Sequence, residues 1–166
     1  AHYGDTITAT CNTTSSEYYL TGWIVNSTAS TTNDPVKQFT MPASNVNVTA
    51  MHLQHKIEWQ NAQITAVQPS GSEYVTLTYS GTCTDNFSRP LTFYIYRDGQ
   101  MMYANYVNNA YVPDATKTTP LEVAAPSLEE QSIVIKISSE DVDKEIRFSI
   151  VAHDNQGITR SEEHTS

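Results

Sequence analysis

The chain reads as all-β, and three observations carry that reading. Polar neutral residues stand where charge is usual. The chain has 22 Thr, 16 Ser and 11 Asn, while Asp, Glu, Lys and Arg make up 16% of it, against roughly 25% in an ordinary soluble domain. Thr suits strands, and Ser and Asn suit turns and exposed faces. Apolar residues also recur with period two, and no stretch shows the helical period. Ten tyrosines add the aromatic side chains that strands favour. A length of 166 residues allows one large domain or two small ones, and a hydrophobic share of 39% is enough for two thin cores.

The stretch Phe39–Ala50, FTMPASNVNVTA, is the expected divider. Phe39 and Met41 alternate with polar neighbours. Pro42 has no N–H to donate and Ser44-Asn45 favours a turn, so a ladder breaks there. Val46, Val48 and Ala50 then resume the alternation of a half-buried strand. The residues before it form a small module that this strand closes. Within that module, Asp5–Thr10 alternates Ile7 and Ala9 with threonines and reads as a strand. Asn12–Ser16 is polar and reads as a loop. Tyr18–Asn26 is a second strand, with Tyr18, Leu20, Gly22 and Ile24 on one face, and Asn26–Pro35 is a loop. The boundaries predicted are a module over 1–53, a linker over 54–59 and a second domain over 60–166.

Three runs in the first module carry a resemblance: Gly4-Asp5 with the Thr-rich strand, Gly22-Trp23 in YLTGWIV, and the whole of Phe39–Ala50. Together they resemble the divergent internalin B-type repeat of bacterial surface proteins, over about residues 3 to 52. The family's opening strand is missing, so the repeat is expected to be truncated at its N-terminus. The resemblance implies a small β-grasp-like module that acts as a spacer or adhesive unit, with no catalytic residues.

In the second domain, Trp59 to Pro69 offers a strand and Pro69-Ser70-Gly71 a turn. Tyr74–Ser80 places Val75, Leu77 and Tyr79 on one face. Gly81–Pro90 is polar and reads as a loop. Leu91–Arg97 puts Leu91, Phe93 and Ile95 inward and Tyr94 and Tyr96 outward. Asp98-Gly99 is the strongest hairpin signal in the chain, with Gln100–Val107 as the return strand. Asn108 to Glu130 is long and broken by Pro113, Pro120 and Pro126, with Leu121–Ala125 a short edge strand. Ser132–Ser138 aligns Ile133, Ile135 and Ile137, and Glu145–Ala152 aligns Ile146, Phe148, Ile150 and Ala152. His153–Gly157 turns, and a last strand starts near Ile158. About seven strands at this spacing make a β-sandwich.

Val75–Gly81, Phe93–Gly99 and Phe148–Ser161 give that sandwich a resemblance to fibronectin type III and related immunoglobulin-like domains. Two departures stand out. Tyr79 occupies the place of the family's usual Trp on the second strand, and the segment between Val107 and Gln131 is longer than usual. The fold predicted is thus a small β-grasp-like repeat followed by a seven-stranded immunoglobulin/fibronectin III-like sandwich.

Charge narrows the partners. The net charge is −9, from 18 acidic and 9 basic residues, and no Lys/Arg cluster exists to track a phosphate backbone or an anionic membrane. No apolar run approaches the ~18 residues of a spanning helix, and no signal peptide is visible. The opening at Ala1 falls within a strand-like pattern and reads as a fragment or processed end. Cys11 and Cys83 fall in different modules and lack CxxC spacing, so two separate thiols are expected rather than a bridge.

The candidate binding residues are Tyr94, Tyr96, Tyr103 and Tyr106, read as an aromatic strip on one sheet face of the kind that binds sugars or proteins. The competing reading is cross-strand pairing that stabilises a hairpin. Glu140, Asp141 and Asp143 offer oxygens to calcium, but the run lacks the glycine and loop length of a cage and reads as a solvated turn. His52 and His55 have no Cys or carboxylate at ligand spacing, so no zinc site is expected. Four N-x-S/T sequons (Asn12, Asn26, Asn47, Asn86) follow from composition. No motif frames a nucleophile with a base. The expectation is therefore a non-enzymatic protein without cofactor, extracellular on a bacterial cell surface or in a phage virion. Its modules would space and present a surface for a protein or glycan ligand, beside neighbouring modules, with neither nucleic acid nor membrane insertion. The alternative is a carbohydrate-binding accessory module of a secreted glycoside hydrolase.

Overall fold

Alternating Thr and apolar residues build sheets in both halves of the chain. The computed structural model describes residues 1–12 and 17–165, with side chains up to residue 162. The loop expected over 12–16 and the side chain of His164 thus lie largely outside the described residues. The chain divides into two compact units, Ala1–Lys56 and Ile57–Ser166. Among the described residues no helix is long and apolar enough to cross a membrane.

In the first unit, β1 (Thr6–Thr10) pairs antiparallel with β4 (Val36–Thr40), setting Ile7 opposite Phe39. A second sheet has β2 (Tyr18–Val25) at its centre, between β3 (Thr28–Thr31) and β5 (Val48–Gln54). Trp23 is the one large apolar side chain buried here among the described residues, and its Nε1–H donates to the Asp34 carbonyl at 3.0 Å. Gly22 beside it has no room for a side chain: a Cβ would lie 2.2 Å from the Ser30 carbonyl oxygen.

The stretch Asn26–Pro35, expected as loop, instead contains β3. Asn26 and Ser27 both have positive φ, 46° and 71°, which is the turn geometry that suits the twist of a two-residue hairpin. The turn is tied to the divider segment: the Asn26 N–H donates to the Asn47 carbonyl and the Asn47 N–H to Asn26 Oδ1, each at 2.9 Å. Val46 therefore precedes the last strand, and β5 starts at Val48.

In the second unit, β6 (Ile57–Val67) begins inside the segment expected as linker, so Glu58 and Trp59 are strand residues and His55-Lys56 alone separates β5 from β6. β6 pairs with β7 (Tyr74–Asp85), which runs through Gly81 and Cys83, residues expected in a loop. A bulge at Asn61-Ala62 keeps this long pair in register: the pairing shifts between Gln60 and Gln63, and Asn61 has φ 52°. Gly81 faces the bulge with φ 114°, and a Cβ there would sit 2.8 Å from the Ala62 Cα.

The chain then crosses to the opposite sheet as β8 (Leu91–Arg97), turns at Asp98-Gly99 with φ 50° and 79°, and returns only briefly as β9 (Gln100–Met101). The expected return strand Gln100–Val107 is thus split. At Met102 and Tyr103 the chain leaves for the other sheet, where β10 (Ala104–Val107) and β11 (Ala110–Pro113) form a hairpin on Asn108-Asn109. β12 (Glu122–Val123) flanks β8, inside the edge strand expected at 121–125. β13 (Gln131–Lys136), β14 (Arg147–Asp154) and β15 (Thr159–Thr165) complete the unit.

The two sheets are ordered β10-β11-β13-β7-β6 and β12-β8-β14-β15, with β9 also on β8. All neighbours are antiparallel except β11 and β13, which meet in parallel at Tyr111 and Ile135. Together the two sheets hold ten strands, β6 to β15, against the seven expected, because the return strand is split into β9 and β10 and the long middle segment contributes β11 and β12. Val75, Leu77 and Tyr79 of one sheet pack against Phe93, Ile95, Phe148, Ile150 and Ala152 of the other, so the inward faces read by alternation form the core. Tyr79 is 2% exposed, and its hydroxyl donates to the Ala124 carbonyl at 3.0 Å. Burial first, and then Tyr111, raises its pKa and keeps that proton in place. A phenol carries a polar tip that must be satisfied in a core, and the middle segment supplies the partner.

Candidate functional site

Strand pairing decides which tyrosines share a surface. On β14, Phe148, Ile150 and Ala152 point into the core, so Ser149, Val151 and His153 face outward. The register then lays out the outer face row by row. Tyr96 is opposite Ser149, Tyr94 opposite Val151, and Thr92 opposite His153. On the other side of β14, Ser161 is opposite Val151 and Thr159 opposite His153.

His153 organises the aromatic part of this face. Its ring centroid lies 4.8 Å from that of Tyr94 in an edge-on contact and 5.9 Å from that of Tyr96. Its Nε2 shares a 2.9 Å hydrogen bond with the Tyr96 hydroxyl. Burial lowers the His153 pKa below its ordinary value, against a smaller opposite effect of Asp154. Burial, Tyr103 and Tyr94 raise that of Tyr96. At neutral pH the pair therefore joins an uncharged imidazole and an intact phenol.

Tyr94, Tyr96 and Tyr103 are thus neighbours, but the fourth residue of the expected strip is elsewhere. Tyr106 lies on β10 in the other sheet, 63% exposed, with its ring 4.9 Å from that of Tyr111. The reason is the change of sheet at Met102-Tyr103. Tyr103 bridges to Pro120 and lines a separate recess of about 220 Å³ with Arg97, Asp114 and Lys117.

Beside Tyr96 the outer face forms an open groove of about 380 Å³, lined by Tyr96, Gly99, Ser149, Val151 and the β15 residues Thr159, Arg160 and Ser161. The β15 wall is fastened from within the unit, because Trp59 Nε1–H donates to the Arg160 carbonyl at 3.3 Å. Below the β14–β15 turn, the Asp154 carboxylate accepts from Gln156 N–H and Ile158 N–H at 2.8 Å each and pairs with Arg89 at 2.9 Å. Burial would push this carboxyl up. The Arg89 guanidinium and the two N–H groups outweigh that and hold it below the usual carboxylate range.

The acidic run is engaged in structure. Asp141 Oδ2 accepts from Arg97 at 2.8 Å and Ser138 Oγ at 3.1 Å, bonds that hold its pKa below the ordinary value. Asp143 Oδ1 accepts from Gly71 N–H at 3.2 Å, and Glu140 is exposed. Both cysteines are free thiols. Burial, then Glu162 and Asp85, push the Cys83 thiol up to about 11, which leaves it protonated and unreactive near neutral pH. Cys11 Sγ lies 3.4 Å from His52 Nε2, a pairing invisible in sequence because 41 residues intervene. One thiol and one imidazole fall short of the four ligands that hold a structural zinc.

The pairing of Gly22-Trp23 with β5 and the Asn26–Asn47 tie now stand beside the sequence runs that carried the resemblance. Residues 1–56 match the Divergent InlB B-repeat domain family. That span coincides with the first compact unit, and it is the part of the chain to which the likeness applies. No curated protein and no solved structure matches the chain.

Among sequence-derived candidates, Tyr94 and Tyr96 are on the groove side of the sandwich. Ser149, Val151, His153, Thr159, Arg160 and Ser161 were missed. The alternation of β14 carried a usable signal for Ser149 and Val151, which sit between core positions. His153 lay hidden in a segment that reads as a turn.

Proposed function

We propose that this protein is a non-enzymatic pair of β modules that spaces and presents a binding surface on the outside of a bacterial cell or on a phage particle. The observation that carries the reading is the match of residues 1–56 to a bacterial repeat family, on a compact unit with a thin core and two small sheets. The strand order of the second unit supports a fibronectin type III-like sandwich in the companion role. In such a sandwich, loops and an outer sheet face make contacts while the core supplies stiffness. Partners in this reading are a protein or glycan ligand and neighbouring modules of a larger assembly.

The test is location. Antibody labelling and protease shaving of intact source cells, with mass spectrometry of purified virions from the same source, should find the chain accessible in one of the two. Recovery only from the interior of washed cells would sink the reading. Incubation with polysaccharide and peptide substrates should give no turnover, and sustained release of product would replace the module reading with an enzymatic one.

A further inference from the structure

The outer face of the sheet β10-β11-β13-β7-β6 gathers apolar side chains in the open. Ile64, Ala66, Leu77, Tyr111 and Ile135 pack on the core, so their neighbours along each strand point the other way. The register sets Val67 beside Thr76, Thr76 beside Val134, and Val107 beside Ala110. β11 and β13 meet in parallel at Tyr111 and Ile135, which puts Ala110 next to Val134. One row, Val67-Thr76-Val134-Ala110-Val107, thus crosses all five strands, and its ends Val67 and Val107 are 61% and 48% exposed. Beside it runs the row Thr65-Thr78-Ser132, in which the Thr78 and Ser132 hydroxyls already share a 2.9 Å hydrogen bond. On the other side Tyr74, also exposed, is opposite Lys136. A contiguous face of this kind marks an interaction surface.

Charge decides what the face can meet. A chain of net charge −9 repels its own copies over most of its surface. Between the β6 bulge and Tyr74, however, the described strand residues turn a single charge outward, Lys136. At the opposite end of β13, directly before the strand, stands the exposed Glu130. Neither makes an ion pair among the described residues. The outward alternation along this strand therefore reads Glu130, Ser132, Val134, Lys136, an acid at one end and a base at the other.

We propose that two copies of this chain associate through this face, sheet on sheet, each strand antiparallel to its counterpart in the other copy. A two-fold axis lying across the strands gives that arrangement and makes the contact isologous. It brings Lys136 of each copy over Glu130 of the other, twice, and lays the valine row on the Thr65-Thr78-Ser132 row. A two-fold along the strands would instead set the two Lys136 side chains at one level, so the charges select the first orientation. Five strands about 4.8 Å apart and three rows about 7 Å apart give each copy about 500 Å² of contact, below the roughly 800 Å² per partner of a standard interface. The dimer is accordingly weak and reversible. The inference goes beyond the spacing role and does not depend on the cellular or virion setting.

Sedimentation velocity of the intact chain, over a concentration series into the submillimolar range, should show a reversible monomer–dimer equilibrium. NMR spectra over the same series should shift the amides of Thr65, Thr76, Ser132 and Val134. Val134→Asp puts a charge into the middle of the face and should abolish association. Lys136→Glu or Glu130→Lys alone sets like charges together twice and should weaken association about tenfold. The two exchanges combined should restore it, which a loss of folding cannot mimic. Thr92→Asp, on the other sheet, adds the same charge away from the face and should leave association unchanged. Near-UV circular dichroism reports whether each variant keeps its fold. A chain that stays monomeric throughout, whatever else it binds, overturns the proposal. So does a dimer that tolerates Val134→Asp, or one that the combined exchange fails to restore.

Discussion

His153 and Asp154 are adjacent in sequence and respond to acid through different physics. The His153 ring is desolvated, so its folded pKa lies below the ordinary value of about 6.5. The unfolded chain takes up the proton first. Stability is full above about pH 6.5 and is lost progressively as pH falls towards the lowered folded value. NMR titration of the His153 ring should therefore give a midpoint below 6.5, and Tyr96→Phe should broaden or shift the Tyr94 ring signals by releasing the imidazole. An ordinary midpoint would remove the desolvated pair. Asp154 acts lower on the scale. Its folded pKa is depressed by Arg89 and two backbone N–H groups, so its contribution is present above the unfolded value of about 3.9 and lost as pH falls through the folded one. Its side chain is fully buried against Arg89. Asp154→Ala should cost about 3 kcal/mol near neutral pH, because it breaks a buried charge pair and removes the acceptor of two N–H groups. Chemical denaturation of the variant at neutral pH and at pH 3 checks this, and the gap between variant and parent should narrow in acid.

Turns and bulges separate the elements that were legible in the sequence from those that were not. Asp98-Gly99 announced its hairpin because the dipeptide favours positive φ at both positions. Asn26-Ser27 and Asn108-Asn109 adopt the same geometry without glycine, and each was absorbed into a polar loop. β3 is Thr-Ala-Ser-Thr, which has no apolar alternation to mark it. Tyr106 lies apart from the other three tyrosines for a related reason. Met102 and Ala104 are both buried, so the apolar pattern runs on smoothly while the backbone changes sheets, and periodicity has no symbol for that change. Gly81 reveals a further limit, since its role depends on a bulge in the partner strand. Gly81→Ala combines an unfavourable φ with a backbone clash at Ala62 and should cost about 2–3 kcal/mol. Gly99→Ala has positive φ in open space and should cost about 1 kcal/mol. Urea midpoints at unchanged m-value measure both, and equal losses would show that the β6–β7 bulge is not held by Gly81.

At the scale of the whole molecule, the two units differ in how much core each one has. The second unit buries a continuous cluster from Ile57 to Ala152 between its sheets. The first unit buries Trp23 and leaves Tyr3, Tyr18, Tyr19, Val36 and Leu53 exposed. Small domains bury a smaller fraction of their surface and are correspondingly marginal, and 56 residues with one large buried apolar side chain among the described residues stand near that limit. The composition indicated two thin cores, but it gave no sign of how unequal they are, because Thr and Tyr occupy strands on buried and exposed faces alike. The inequality has a thermal consequence. Scanning calorimetry should resolve two transitions, with a ratio of calorimetric to van't Hoff enthalpy above one for the chain as a whole. The lower transition should belong to the first unit. Trp23→Ala removes its principal buried side chain and should abolish that transition, at a cost of about 3–5 kcal/mol, while leaving the upper one in place. A single transition with matching enthalpies, shifted as a whole by Trp23→Ala, would mean that the units fold as one cooperative body and that the first cannot serve as an independent spacer.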